Sequence, residues 1–406
     1  MLLPNRSATS VLFMAALAGL CPAQEWTEAS VVQRFLDQSP QARETRARVA
    51  IAEAEARGRS LYANPSVNYS REGAGLTEFF QAEQTLPITG RLKLLRQAGS
   101  SIVRATEADG AFSLWQARSS LRQAFYRVLA SQQRATIYSA GLKDIEDVIR
   151  VLRDREREGE GSKFDRLRTE RERAEMLAEL ALVRAATALE RAQMLAFLPT
   201  ETPLTTVSGQ IETPALALNA ADLTQRAFAV RQDYRAEQRR IEQYRLEQRA
   251  AERLRFPEPV LNVGFKRAEI GPRGIANGPV VGISVPLPLF NKGQAEVARF
   301  SAEQERSSAR LQVLTQQIRA AVEGAAQAFN LRLRARDEYR GELAETGPEL
   351  VRIATIAYQE GEIGILQLLD AYRVQRVAQL RLLDLRAGVK EAQIELDRIV
   401  GEELGK

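Results

Sequence analysis

The stretches "EGEGSKFDRLRTER" (residues 158–171) and "EGEIGILQLLDAYR" (residues 360–373) align without a gap. Both open Glu-Gly-Glu, carry a leucine at the same place (Leu167, Leu369) and close on arginine (Arg171, Arg373). Gly159 and Gly361 are each placed to end an incoming helix, and the residues beyond each glycine read as the start of a returning one. A chain that reverses a helix twice in the same words is a duplicated unit.

The flanking sequence keeps one order twice. Residues 31–70 correspond to residues 222–265: a helical run ends at Asn64-Pro65 or Glu258-Pro259, and an alternating stretch comes next. "PSVNYSRE" (65–72) with "TEFFQAEQTLP" (77–87), and "PVLNVGFK" (259–266) with "NGPVVGISVPLPLF" (277–290), read as two β-hairpins, each with one apolar face. Both end in Leu-Pro, at Leu86-Pro87 and Leu287-Pro288. The loop sequence "GPRGIANG" (271–278) lacks the Lys-Ser/Thr of a phosphate loop and lies between strands, so it reads as a hairpin loop. From Gly90 to about Glu158 there is no proline, and Leu114, Ala117, Leu121, Ala124, Val128, Ala135 and Tyr138 keep a heptad-like phase. A helix of that length reaches about 100 Å. Its counterpart, from Asn291 to about Gln359, carries Gly347-Pro348, where a kink or break is expected. Returning helices are predicted from Phe164 to about Phe197 and from about Leu366 to Val400.

These signals divide the chain into a first repeat (24–198; hairpin about 65–87, tip turn about 158–164), a Pro/Thr-rich patch with one short strand (199–220), a second repeat (221–400; hairpin about 259–288, tip turn about 360–366) and a tail (401–406). The first 23 residues read as a secretory leader: Arg6, an apolar run from Val11 to Leu20, then Cys21-Pro22-Ala23. Lipid attachment at Cys21 is the competing reading, against which stands the bulky Leu20 before it.

Composition narrows the chemistry. The chain has 57 basic and 52 acidic side chains, a formal charge of +5, and the signs alternate along helical stretches instead of forming basic blocks, so nucleic acid is not an indicated partner. There is no histidine, and Cys21 is the one cysteine, which excludes His-based catalysis, Cys/His metal sites and intrachain disulfides. No cluster of nucleophile, base and oxyanion donors can be assembled, so the chain reads as no enzyme, with no cofactor and no bound metal.

Four strands with one apolar face cannot close around themselves, and open edges in lipid leave amides and carbonyls unpaired. The hairpins must be completed by other copies, with Val67/Tyr69, Phe80/Leu86, Leu261/Val263/Phe265 and Val281/Ile283/Val285/Leu287 facing lipid and Ser, Asn, Thr and Glu lining a wet lumen. The duplicated order of helix, hairpin, long helix, glycine turn and helix resembles the TolC family of outer-membrane efflux factors. The residues that carry this are "TLPITGR" (85–91), "VPLPLFNKGQ" (285–294), "EGEIGILQLLDAYR" and "AQIELDRIVG" (392–401), whose flavour is similar to the heavy-metal, CzcC-like branch. The resemblance covers essentially the whole mature chain.

It implies a mainly α fold with β: a homotrimer in an outer membrane, each chain giving four strands to a twelve-stranded transmembrane β-barrel and helices to a long periplasmic α-helical barrel. The function implied is a passive exit duct for heavy-metal cations or drugs, working with a periplasmic adaptor and an inner-membrane pump of RND type. By the same resemblance the adaptor meets the tips, Glu158, Gly159, Glu160, Glu360, Gly361 and Glu362, and the pore narrows at Asp165, Arg168, Gln367 and Asp370. Arg168 departs from the acidic or neutral residue usual there and suggests a mixed ring with Asp-Arg pairs. A second reading stands beside this one: Asp165 after Ser162, and Gln367 after Gly364, have capping-box spacing and could serve only the helix start. The alternative for the whole chain is a soluble periplasmic coiled-coil adaptor or tether.

Overall fold

A computed structural model describes residues 26–73, 77–214, 219–271, 274–343 and 346–405; the leader and Cys21 lie outside the described residues. The first repeat runs α1 (Glu28–Gln38), α2 (Pro40–Gly58), β1 (Ser66–Glu72), β2 (Thr77–Thr85), α3 (Arg91–Arg157) and α4 (Lys163–Leu195). The second runs α5 (Ala220–Val230), α6 (Gln232–Glu252), β3 (Val260–Glu269), β4 (Ile275–Ser284), α7 (Gln294–Leu343), α8 (Thr346–Gln359) and α9 (Ile365–Val400).

Each helical run before a hairpin is two helices, where the sequence pattern suggested one. The first breaks at Ser39, whose hydroxyl accepts the Ala42 N–H, with Pro40 opening α2. The second breaks at Arg231, which donates to the Ile399 carbonyl at 2.7 Å and pairs with Asp233. The interruption expected in the second long helix adjoins residues 344–345, which lie outside the described residues; Gly347 and Pro348 themselves are helical, within α8. The Pro/Thr-rich patch forms no named strand among the described residues; its one pairing is a parallel bridge of Val207 to Trp26.

The strands form one antiparallel sheet in the order β1-β2-β3-β4, so the two hairpins pair with each other through β2 and β3. The register aligns Val67 with Ala82, Ala82 with Val263 and Val263 with Val281, and likewise Tyr69 with Phe80 and Phe80 with Phe265. Facing partners share a side of the sheet, and this side is exposed: Val67 81%, Phe265 66%, Val281 73%. The other side carries Asn68, Gln81, Glu83, Asn262 and Lys266, with Phe79 lying under the Lys266 ammonium at 5.3 Å. Leu86, Val285 and Leu287, expected on strands, lie beyond the strand ends. Both repeats turn there in the same way: Ile88 N–H donates to the Leu86 carbonyl across Pro87, and Leu289 N–H to the Leu287 carbonyl across Pro288, each at 2.9 Å.

Gly264 shows which way the sheet curves. It lies on the polar side, and a Cβ built there would stand 2.0 Å from the Phe80 carbonyl oxygen, so β3 folds over β2 toward that side. A local bend of this kind, toward the polar side, is one a barrel wall uses.

Away from the sheet, the 67-residue α3 runs unbroken along the body for about 100 Å. Near the sheet it approaches α2 closely: Gly99 and Gly110 leave room for Ala56 and Thr45. At mid-length Leu121, Phe125, Val128 and Leu129 pack with Trp26, Val31, Phe35, Met194, Val207 and Ile394 in a buried core. Beside it lies a polar cluster. The Arg122 guanidinium pairs with Glu28 and with Asp397 (3.0 Å), the Tyr126 hydroxyl donates to Glu28 at 2.6 Å, and Asp397 accepts the Leu404 N–H at 3.0 Å. Burial alone would raise the Glu28 carboxyl, but Tyr126 and Arg122 outweigh it and hold it below the usual carboxylate range. A second core unites Leu223, Ile318, Val322, Phe329, Val389 and Leu396.

Gly264→Val is expected to push β3 away from β2, read as faster amide hydrogen exchange in both strands. Gly278→Val, on the same side but with nothing within 4 Å of its Cβ, is expected to leave that exchange unchanged.

Candidate functional site at the helix-reversal end

At the end opposite the sheet, α3 turns into α4 and α8 into α9 through one repeated cap. Gly159 N–H donates to the Glu156 carbonyl (3.2 Å) and Glu160 N–H to Arg155 (2.9 Å); Gly361 N–H donates to Tyr358 (3.2 Å) and Glu362 N–H to Ala357 (2.8 Å). Both are Schellman motifs, closed by glycines at φ 81° and 77°. A Cβ on either glycine would meet nothing within 4 Å, so each is required for its backbone and faces open space. Gly161, which the sequence pattern did not single out, is needed for space: its Cβ would lie 2.6 Å from the Glu156 nitrogen.

The two reversals are locked differently. In the first, Arg166 bridges Glu156 on α3 and Glu170 on its own helix (3.0 Å), while Arg153 reaches Glu170 at 2.7 Å. Ser162 makes no side-chain cap, so no capping box forms with Asp165. In the second, the Gln367 carboxamide accepts the Gly364 N–H at 2.9 Å, the capping role its spacing allowed. The two are joined by a small core of Val148 and Leu152 from α3 with Ala354, Ile365, Leu368 and Ala371.

Of the four residues expected at a constriction, the structure brings three together. Arg168 with Arg171, Glu172 and Glu175 on α4 faces Leu366, Gln367, Leu369, Asp370 and Arg373 on α9 across an open groove. Asp165 is not among its lining residues; its charge acts on Tyr358, whose phenol is raised first by burial and further by Asp165, against the pull of Arg155. The Asp-Arg pairing also differs from expectation. Asp370 binds Arg373 on its own helix at 2.5 Å, not Arg168. Arg171, Glu172, Glu175 and Arg373 were missing from the sequence-derived set, although they continue the face of Arg168 and Asp370 at steps of three and four.

Among the described residues no group of His, Cys, Asp or Glu could hold a metal ion, and no helix is long and apolar enough to cross a membrane. Residues 223–402 match the sequence model of the outer membrane efflux protein family. A stretch of 148 residues is 24% identical to the cobalt-zinc-cadmium resistance protein CzcC of Cupriavidus metallidurans; it covers 36% of this chain and spans about a third (34%) of that relative. Solved structures share the fold over nearly the full length. CusC superposes with a TM-score of 0.72 at 17% identity, covering 92% of both chains. The open-state MtrE outer membrane channel of Neisseria gonorrhoeae also gives 0.72 at 17% identity, covering 93% of this chain and 89% of that one. VceC of Vibrio cholerae gives 0.68 at 15% identity, covering 92% and 96%.

Gly159→Ala and Gly361→Ala force an L residue into the left-handed region at roughly 1–2 kcal/mol each. The expected result is about 5- to 30-fold faster amide hydrogen exchange at Glu160 and Glu362. Gly324→Ala, in open space within α7, is expected to leave both amides unchanged.

Proposed function

We propose that three copies of this chain form the outer-membrane exit duct of an efflux system. The observation that carries this reading is the sheet: one side is apolar and exposed, the other is polar, and its outer strands β1 and β4 are the edges. Pairing β4 of one copy with β1 of the next closes a barrel of twelve strands, satisfies the edge groups and turns the apolar side to lipid. The helices then extend from the inner face of the membrane across the periplasm, with the reversals farthest from it. The duct performs no chemistry. Its cargo, heavy-metal cations or drugs, is what an inner-membrane pump delivers, and the CzcC relative, a cobalt-zinc-cadmium resistance protein, favours metal-linked efflux.

The reversal tips are the docking end for a periplasmic adaptor. Exposed Glu158, Glu160, Glu360 and Glu362 flank the two open glycines and suit a partner with a basic hairpin tip. Arg168, Gln367 and Asp370 line the narrow part of the path. Asp165 stands outside that set.

In detergent the protein is expected to run at three times the chain mass and to give stable single-channel conductance in planar bilayers. Val263→Lys, at about 2–4 kcal/mol per chain on a lipid-facing side, is expected to abolish insertion; a monomer that needs no detergent would overturn the proposal. Charge reversal at both Glu160 and Glu362 is expected to weaken capture of a basic-tipped adaptor at least tenfold at low salt, and unchanged capture would remove the carboxylates from the docking surface.

A further inference from the structure

The groove between α4 and α9 is lined by one arginine that has no ion-pair partner among the described residues. Arg171 pairs with Glu175 at 3.3 Å, Glu172 with Arg376 at 3.5 Å, and Asp370 with Arg373 at 2.5 Å. Arg168 is exposed and, among the described residues, has no ion-pair partner. The lining itself carries three arginines and three carboxylates, but Glu172 is drawn to Arg376 outside the lining, which leaves Arg168 as the lining arginine without a pair. The remaining acidic neighbours lie elsewhere: Asp165 acts on Tyr358, and the four tip glutamates sit on the turns themselves.

From this geometry we propose that Arg168 forms an anion-binding ring just inside the tips. The inference rests on the channel reading, because it needs the copies around one axis. In a trimer three guanidiniums face a common path, and their planar donors suit a small multivalent oxyanion, with charge-assisted bonds of about 1.5–3 kcal/mol each. Arg168 stands about 8 Å along α4 from the tip turn at 1.5 Å per residue. That is close to the Debye length of about 10 Å at 0.1 M salt, so the acidic rim partly masks the ring in the free protein. An adaptor that neutralises the rim unmasks it. The ring then favours anionic cargo, or a metal ion travelling inside an anionic complex, over a bare cation.

The test is block of single-channel current by inorganic pyrophosphate added from the helix-tip side, with spermidine as the cationic probe, in 0.1 M salt. Wild-type protein is expected to be blocked by pyrophosphate, and Arg168→Ser to need at least ten times more for half block. Arg168→Glu is expected to lose that block and become sensitive to spermidine. Neutralising the rim with Glu160→Gln and Glu362→Gln is expected to strengthen the pyrophosphate block. Equal pyrophosphate block in wild type and Arg168→Ser, or a wild type blocked by spermidine and indifferent to pyrophosphate, would overturn the ring while leaving the channel standing. No conductance from any variant would overturn both readings.

Discussion

An antiparallel sheet with two free edges and one exposed apolar side is unstable alone in water and in lipid. In water the apolar side of Val67, Phe80, Phe265 and Val281 stays exposed; in lipid the β1 and β4 edge groups lack partners at several kcal/mol each. Curvature resolves both at once. The bend of β3 over β2 at Gly264 is directed toward the polar residues, the direction in which added strands could close the sheet around them. The helices inherit the same axis, since each hairpin joins its long helix through one Leu-Pro turn, Leu86-Pro87-Ile88 or Leu287-Pro288-Leu289.

Duplication explains the tips, and divergence within it explains their difference. The Schellman caps agree bond for bond, so both reversals answer to one backbone requirement. Around them the repeats part. The first is braced by the charged bridge of Arg166 between Glu156 and Glu170, at the end of an unbroken α3. The second sits at the end of α8, and its brace is the Gln367 cap and the packing of Ile365 and Leu368. A charge bridge is sensitive to salt and apolar packing is not, so the two halves of the mouth respond differently to the same medium.

The fold was largely legible in the sequence because its signals are local. Alternation marked the strands, Gly90 and Gly159 bounded α3, and the repeat tied the halves together. What escaped depended on distant contacts. The break at Arg231 is set by Ile399 and Asp233, and no residue at that point announces it; the break at Ser39 did carry a capping serine before Pro40. At the site, Asp165 and Arg168 were grouped because both come after a tip glycine at matching intervals. Their spacing of three does put them on one helix face, but Asp165 lies in the first turn of α4, where its charge acts on Tyr358, and Arg168 one turn further on lines the groove. Pairing was equally hidden: Asp370 had candidate arginines on two helices, and the one a turn away on its own helix wins because it orders less chain.

The groove's ion pairs are best understood through their size. Pairs as exposed as Asp370 with Arg373 or Arg171 with Glu175 contribute about 0–1 kcal/mol each. Stability near the tips comes instead from the buried Leu152, Ile365 and Leu368, where removing one large side chain costs about 2–5 kcal/mol. The exposed charges therefore act less on whether the tips fold than on the field left after pairing. Two unit charges 4 Å apart at a protein surface interact by about 4 kcal/mol before screening, so a single unpaired guanidinium outweighs several self-neutralised pairs. Which arginine is left over matters more to an ion in the groove than how many arginines line it.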